Sequence, residues 1–249
     1  MEYYSTQYWN RGKRRKNEDS LCIEQVMTRK GRVLLAMVCD GIGGLPCGEW
    51  ASGYVTEELL QWFYTEGMQI LRRGTTEQMK QKLKKRVRRI GEELYSYGKQ
   101  KGIQLGTTMS ILLLWKSSYL ILHVGDSRIY RIRFCCRLLT RDQVHETGTL
   151  LQGVGVRKEL MPQMISGRVR HGDCFLLCSD GFYRKQSVRE LRRLFGISFR
   201  ELWSGKKEGY RKEEGMELKL REAAEAGIRR GETDNVSAVW IRCRKGGLL

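Results

Sequence analysis

Three apolar runs in this chain each end in an aspartate: Val33-Leu-Leu-Ala-Met-Val-Cys-Asp40, Leu120-Ile-Leu-His-Val-Gly-Asp126 and Phe175-Leu-Leu-Cys-Ser-Asp180. Asp234 immediately precedes Asn235-Val-Ser-Ala-Val-Trp-Ile, and Glu18-Asp19 immediately precedes a strand-like run at 20–26. Nearly continuous apolar runs of this length suit strands buried on both faces. One aspartate at a strand end is commonly a turn former or a cap. A whole set bracketing apolar strands constrains the fold more tightly. If the strands are neighbours their ends converge, and clustered anions repel unless something positive sits among them. A set of oxygen donors alone, without His or Cys as ligands, selects Mg2+ or Mn2+. Glycine after Asp40 and after Asp180 lets the backbone turn sharply, and a bare peptide carbonyl can itself coordinate.

Strand-like runs fall at 20–26, 32–39, 107–115, 119–124, 127–133, 173–179 and 236–243, with Lys116-Ser117-Ser118 reading as a turn. Between them lie helical patterns. Trp50, Tyr54, Val55, Leu59, Trp62 and Phe63 make one apolar stripe over about 47–72. Met79, Leu83, Val87, Ile90, Leu94 and Tyr97 make a second over about 77–98. Val188, Leu191 and Leu194 suggest a short third helix, and Met216, Leu220, Ala223, Ala224 and Gly227 a fourth. Strands in clusters, then two long helices, then strands again argue for α+β layering rather than βαβ alternation. With 249 residues and no Pro-rich linker or repeat, a single domain over 1–249 is expected. No run reaches the ~20 apolar residues of a membrane span, and the N-terminus lacks the apolar segment of a secretory signal. A cytoplasmic protein is the expectation.

The chain carries 46 Lys plus Arg against 28 acids, a formal charge of +18. Basic residues crowd at Arg11 to Lys16 and at Lys80 to Arg89. A nucleic-acid surface is one reading of such clusters. The second cluster shares its segment with the apolar stripe from Met79 to Tyr97, which makes it the solvated face of an amphipathic helix. No zinc-finger spacing or RNA-binding signature accompanies either cluster, so nucleic acid is not the expected partner. The eight cysteines include no C-x-x-C pair, and Cys22, Cys39, Cys174, Cys178 and Cys243 fall in or at the ends of apolar runs. They read as structural thiols rather than zinc ligands or disulfides.

Eight short motifs occur in order: Arg14-Arg-Lys-Asn17-Glu18-Asp19, Cys39-Asp40-Gly41-Ile-Gly43-Gly44, Gly48-Glu49-x-Ala51-Ser52, Gly106-Thr107-Thr108, Val124-Gly125-Asp126-Ser127-Arg128, Leu139-Thr140-Arg-Asp142, Cys178-Ser179-Asp180-Gly181 and Asp234-Asn235-Val236-Ser237. The series resembles that of the metal-dependent type 2C protein phosphatases, from about residue 5 to 243, with the compact length of the bacterial branch. The resemblance implies a four-layer sandwich, two central antiparallel β-sheets flanked by pairs of α-helices. It also implies hydrolysis of phosphoserine and phosphothreonine monoesters by a hydroxide bridging two Mn2+ or Mg2+ ions. Phosphorylated substrates of a serine/threonine kinase would be the partners, and a monomer is expected.

Carried over residue by residue, the resemblance makes Asp40, Asp180 and Asp234 the catalytic carboxylates. Asp40 would bridge both ions, and the Gly41 carbonyl would bind the second. Asp180 and Asp234 would complete the first. Glu18 would face the second, with Asp19 bound directly or through water. Asp126 corresponds to the position of a third, weaker ion, and Arg14 to a phosphate-gripping arginine. A segment at about 143–168 corresponds to a flap beside the cleft. Three positions depart from the family: Gln143 follows Asp142 where His is frequent, Ile42 stands where eukaryotic relatives carry His, and Ser237 stands where Thr is frequent. None removes a metal ligand. The alternative is a non-catalytic module of the same fold that binds a phosphoprotein or nucleic acid.

Overall fold

A strand buried on both faces serves two cores at once, and this requirement shapes the whole molecule. The computed structural model describes residues 1–197 and 210–245. It contains strands β1 (Glu2–Asn10), β2 (Asp19–Thr28), β3 (Gly31–Asp40), β4 (Met109–Trp115), β5 (Ser118–Val124), β6 (Arg128–Ile132), β7 (Cys136–Leu138), β8 (Gln163–Arg168), β9 (Cys174–Cys178) and β10 (Val236–Arg244). The helices are α1 (Gly48–Trp62), α2 (Met68–Arg73), α3 (Thr76–Lys101), α4 (Asp180–Tyr183), α5 (Val188–Phe195) and α6 (Tyr210–Arg229). One sheet has the order β2-β3-β4-β5-β8 and the other β1-β10-β9-β6-β7, antiparallel throughout.

Along β3, Val33, Leu35, Met37 and Cys39 face a core shared with α1 and α3, where Val55, Leu59, Leu83, Val87 and Ile90 are buried. The alternate residues Leu34, Ala36 and Val38 enter the seam between the sheets and meet Phe175, Leu177, Val239 and Ile241. On the far side of the second sheet, Leu176, Cys178 and Trp240 pack with Leu191, Phe195, Leu220 and Ala223 of α5 and α6. The order helices, sheet, sheet, helices is the four-layer sandwich. Each sheet's two faces are covered, so its central strands read as continuous apolar runs.

Local chemistry fixes the boundaries. Thr75 accepts from the Gln78 backbone while Gln78 reaches back to Thr75, a reciprocal cap that starts α3. Gly102, at φ 65°, ends it. The β4–β5 turn puts Lys116 and Ser117 at φ 50° and 58°, the two-residue hairpin geometry that matches strand twist.

Several expectations need correction. The pattern at about 47–72 is not one α-helix: a π-helical turn at Phe63–Gly67 separates α1 from α2. Trp50 does not join the buried stripe but stacks on Tyr54 and Tyr97 at the surface. Val188 of the third pattern is exposed. Strands β1, β7 and β8 were not expected. The segment at 143–168 ends in β8, which pairs with β5, and its Val154 and Leu160 are buried in the helix-side core. Cys39, Cys174, Cys178 and Cys243 are buried free thiols, in keeping with the structural reading.

Antiparallel pairing also explains where the acids go. Strands followed by an aspartate (β3, β5, β9) alternate with strands preceded by one (β2, β10), so all these acids emerge at one end of the sandwich.

Candidate active site

At that end a cleft of about 780 Å3 is lined by Glu18, Asp40, Gly41, Asp126, Asp180 and Asp234, with Arg14 at its wall. These are seven of the eight residues singled out in the sequence. Asp19 is the exception. It stands opposite Asp40 in the β2–β3 register and lies buried behind the cleft lining.

Each acid is placed by a fixed piece of backbone. The Asp40 N–H donates to Thr108 Oγ1 at 3.0 Å, and its carbonyl accepts from Thr107 Oγ1 at 2.8 Å and Thr108 N at 2.7 Å. A Cβ at Gly41 would meet the Gly48 carbonyl at 2.6 Å, so only glycine fits where β3 turns towards α1. Asp126 follows Gly125, whose N–H donates to Gln143 Oε1 at 2.9 Å and whose carbonyl accepts from Gln143 N at 2.8 Å. Gln143, the departure from the family pattern, therefore anchors the Asp126 turn. Buried His123 sits behind the same turn, with Nε2 3.0 Å from the Gly125 carbonyl and Nδ1 2.9 Å from Ser110 Oγ. Burial pushes its pKa down to about 4, so it is neutral and structural.

Asn235 ties the two ends of the chain together here. Its Nδ2 donates to the Arg11 and Lys16 carbonyls at 2.8 and 2.9 Å, and its Oδ1 accepts from Glu18 N at 2.8 Å. The basic loop 11–16 is thus stapled to the start of β10, which carries Arg14 to within 2.9 Å of Asp234. The cluster at Arg11 to Lys16 is in this respect part of the site.

Burial, and then crowding, raises the acids. Burial, followed by Asp19, Asp180, Asp126 and Asp234, pushes Asp40 well above the usual carboxylate range. Burial raises Asp180 to about 7, against the pull of Arg184. Burial raises Asp19 to about 6, against hydrogen bonds from neighbours that include Ser179, whose Oγ donates to Asp19 Oδ2 at 3.0 Å. Glu18 and Asp126 are shifted upward by burial as well. Anions gathered at this density call for a cation.

The donor set fits a hard divalent ion. The cleft is lined by carboxylate-bearing residues and Gly41, with no His or Cys among its lining, and Asp19 Oδ1 is buried without a hydrogen-bond partner. Among the described residues, no three His, Cys, Asp or Glu side chains are drawn together as a ready-made chelate. Asp234 is instead engaged by Arg14, and Asp180 by Arg184. Arg184 is a residue that sequence reasoning missed. Its spacing of four from Asp180 was the available signal, once Asp180 is read as opening a helical turn.

Gly148, Thr149, Leu150, Gly153, Val156 and Arg157 of the 143–168 segment also line the cleft. Among the described residues, no helix is long and apolar enough to cross a membrane.

Comparison with known proteins is consistent with this geometry. A family model described as protein phosphatase 2C matches residues 10–222. The serine/threonine phosphatase stp of Listeria monocytogenes is 30% identical over 203 residues, covering 73% of this chain and 78% of its own length. PhpP, a protein phosphatase of Streptococcus pneumoniae, is 24% identical over 202 residues, covering 72% of this chain and 78% of its own length. The structure of the serine/threonine phosphatase Stp1 from Staphylococcus aureus superposes with a TM-score of 0.79 at 23% identity, covering 98% of this chain and 96% of that one. PppA of Pseudomonas aeruginosa gives 0.76 at 24% identity, covering 97% and 98%. At these identities the two structures speak to fold.

Proposed function

The chain belongs to the protein phosphatase 2C family and is a serine/threonine phosphatase of it; from that premise we propose that it hydrolyses phosphoserine and phosphothreonine monoesters in proteins with two divalent ions, Mn2+ or Mg2+, held in the carboxylate cleft. The observation that carries this reading is the convergence of Glu18, Asp40, Gly41, Asp126, Asp180 and Asp234 on one cavity with an arginine at its wall. Asp40 would be shared by both ions, Asp180 and Asp234 would hold one, and Glu18 with the Gly41 carbonyl the other. Asp19, behind the lining, would act through water or by orienting Asp40, and Asp126 would serve a third, weaker ion. Bound there, such ions supply a nucleophile from water near neutral pH and neutralise charge on the phosphoryl group.

The chain's own residues do the rest. Arg14 presents a planar guanidinium from the wall of the cleft, suited to two phosphate oxygens at once. In the substrate complex it would exchange Asp234 for the phosphate. Asn235 holds the Arg14 loop to the Asp234 strand, so phosphate and carboxylates keep one geometry. Ile42 lines the cleft where eukaryotic relatives place a histidine, so no side chain at that position protonates the leaving serine or threonine. The segment carrying Gly148–Leu150 and Arg157 would meet the protein part of the substrate. A cytoplasmic monomer acting on the products of a serine/threonine kinase completes the proposal.

Hydrolysis of a phosphoserine peptide tests the reading. Turnover should require Mn2+ or Mg2+, stop in excess chelator, and be lost in Asp180→Asn. Binding of the peptide with no turnover under any divalent ion would instead identify a non-catalytic module.

A further inference from the structure

Among the described residues, two guanidinium groups are paired with the carboxylates of the cluster, and they differ. Arg14 pairs with Asp234, Nη2 to Oδ2 at 2.9 Å. Arg184 bridges two carboxylates: it is ion-paired to Asp180 and its Nη1 lies 3.5 Å from Asp234 Oδ2. Its charge also acts on Asp126, where it opposes the effect of burial.

The backbone beneath Arg184 is fixed. Arg184 follows the single turn α4, its N–H donating to the Asp180 carbonyl at 2.9 Å. Phe182 of that turn is buried in the outer core. Tyr183 donates from its hydroxyl to the Asp126 carbonyl at 3.2 Å, and the Arg128 guanidinium lies 3.8 Å from its ring centre. Arg128 is held in turn by both oxygens of Asp142. Beyond this anchored base, the Arg184 side chain is half exposed, 50% against 13% for Asp180, and so has room to leave.

We propose that Arg184 is a built-in cation of the site that competes with the divalent ion for Asp180 and Asp234 and thereby weakens the site's hold on metal. This rests on the phosphatase reading above, in which those two carboxylates hold an ion. A divalent ion between Asp180 and Asp234 and a guanidinium bridging the same pair exclude each other by charge and by space. Loading with metal therefore requires Arg184 to swing out, and the free energy of its ion pairs is subtracted from that of metal binding. In return, Arg184 neutralises part of the anionic cluster in the metal-free protein. The enzyme would respond to divalent-ion supply over a higher concentration range than its donor set alone sets.

The test is calorimetric titration of the full chain with MnCl2, comparing the wild type with Arg184→Gln and Arg184→Lys. The proposal expects Arg184→Gln to bind Mn2+ about threefold to fivefold more tightly, the size appropriate to a half-exposed, screened ion pair, with Arg184→Lys between the two. In excess chelator, the melting temperature of Arg184→Gln should fall below that of the wild type, and in saturating Mn2+ the two should coincide. The affinity gap should narrow in 0.5 M salt. Unchanged or weaker Mn2+ binding in Arg184→Gln, with normal melting in Mn2+, would overturn the proposal. Weaker inhibition by inorganic phosphate with unchanged Mn2+ affinity would overturn it too, making Arg184 a phosphate ligand. A wild type that binds no Mn2+ and turns over no phosphopeptide would instead remove the phosphatase reading, a failure visible before any variant is made.

Discussion

Gly181→Ala is a sharp probe of how the two halves of the site are held together. A Cβ at Gly181 would sit 2.1 Å from the Asn235 carbonyl oxygen and 3.2 Å from the Asp234 Cβ. Relief to an ordinary contact of 3.4 Å requires the start of α4 and the start of β10 to separate by about 1.3 Å. Those two backbones carry Asp180 and Asp234. The φ of Gly181 is not in the left-handed region, so the whole penalty is steric. Overpacking of this kind costs about 1–3 kcal/mol. For a chain of this size that lowers the melting temperature by roughly 2–12 °C. Misplacement of catalytic groups by about 1 Å costs roughly a hundredfold in rate. The assay is Mn2+-dependent hydrolysis of an aryl phosphate at a temperature where circular dichroism shows the variant folded, together with its Mn2+ affinity. Gly53→Ala is the control. Its Cβ would first touch Ser20 Oγ, at 4.0 Å, inside helix α1, so it should be neutral or stabilising by about 0.5–1 kcal/mol. A Gly181→Ala protein with kcat and Mn2+ affinity within threefold of wild type would refute the idea that this contact sets the spacing of the two carboxylates.

In chelator, the upward shifts of Asp19, to about 6, and Asp180, to about 7, mean that folding tightens their hold on protons. This stability is complete below the unfolded value near pH 4 and lost as pH rises to about 6 for Asp19 and about 7 for Asp180, so metal-free wild type should lose melting temperature relative to Asp180→Asn between about pH 4 and 7. A pH-independent difference would contradict this, and Mn2+ should abolish the loss by binding the native state. Arg14→Ala should raise KM for a phosphopeptide while leaving Mn2+ affinity nearly unchanged. The neighbouring Arg15→Ala is the local control, and greater damage from it would mean the wrong guanidinium had been assigned to phosphate. Exchanging residues 143–162 for a relative's segment should alter discrimination among phosphopeptides more than aryl phosphate turnover; equal effects would place the segment in the metal site's support. Ser187 and Glu190 form a reciprocal cap on α5 and neither lines the cleft, so Ser187→Ala should cost about 1 kcal/mol with kcat intact.

Much of this molecule could be read from its residues because the physics was local or repetitive. Central strands such as β3 and β9, buried on both faces, announce themselves as apolar runs, and their terminal acids fall together for purely topological reasons. Of the edge strands, β2 was legible, but β1, β7 and β8 gave no such signal. In β1 only Tyr3 is fully buried, and β8 has no fully buried residue, with Gln163, Met164, Ile165 and Gly167 half-buried and Ser166 and Arg168 exposed. Both are stabilised by ladder bonds to a neighbour, a long-range property that a one-dimensional pattern does not carry. Trp50 misled for a related reason, since stacking on Tyr97 of α3 is a tertiary contact that places it at the surface. At the site, acids attached to strand ends were legible. Asn235 as a staple, Gln143 as the anchor of the Asp126 turn and the reach of Arg184 to Asp234 were not, because each acts across separations that only the folded chain closes.

The central claim is that the converging carboxylates form a site for two divalent ions. Anomalous diffraction from crystals equilibrated with Mn2+ tests it directly. The account expects two strong peaks in the cleft, both within coordination distance of the Asp40 carboxylate, one also touching Asp180 and Asp234 and the other facing Glu18 and the Gly41 carbonyl. A cleft without anomalous density at Mn2+ concentrations that support phosphopeptide hydrolysis, or peaks confined to surface acids, would contradict it.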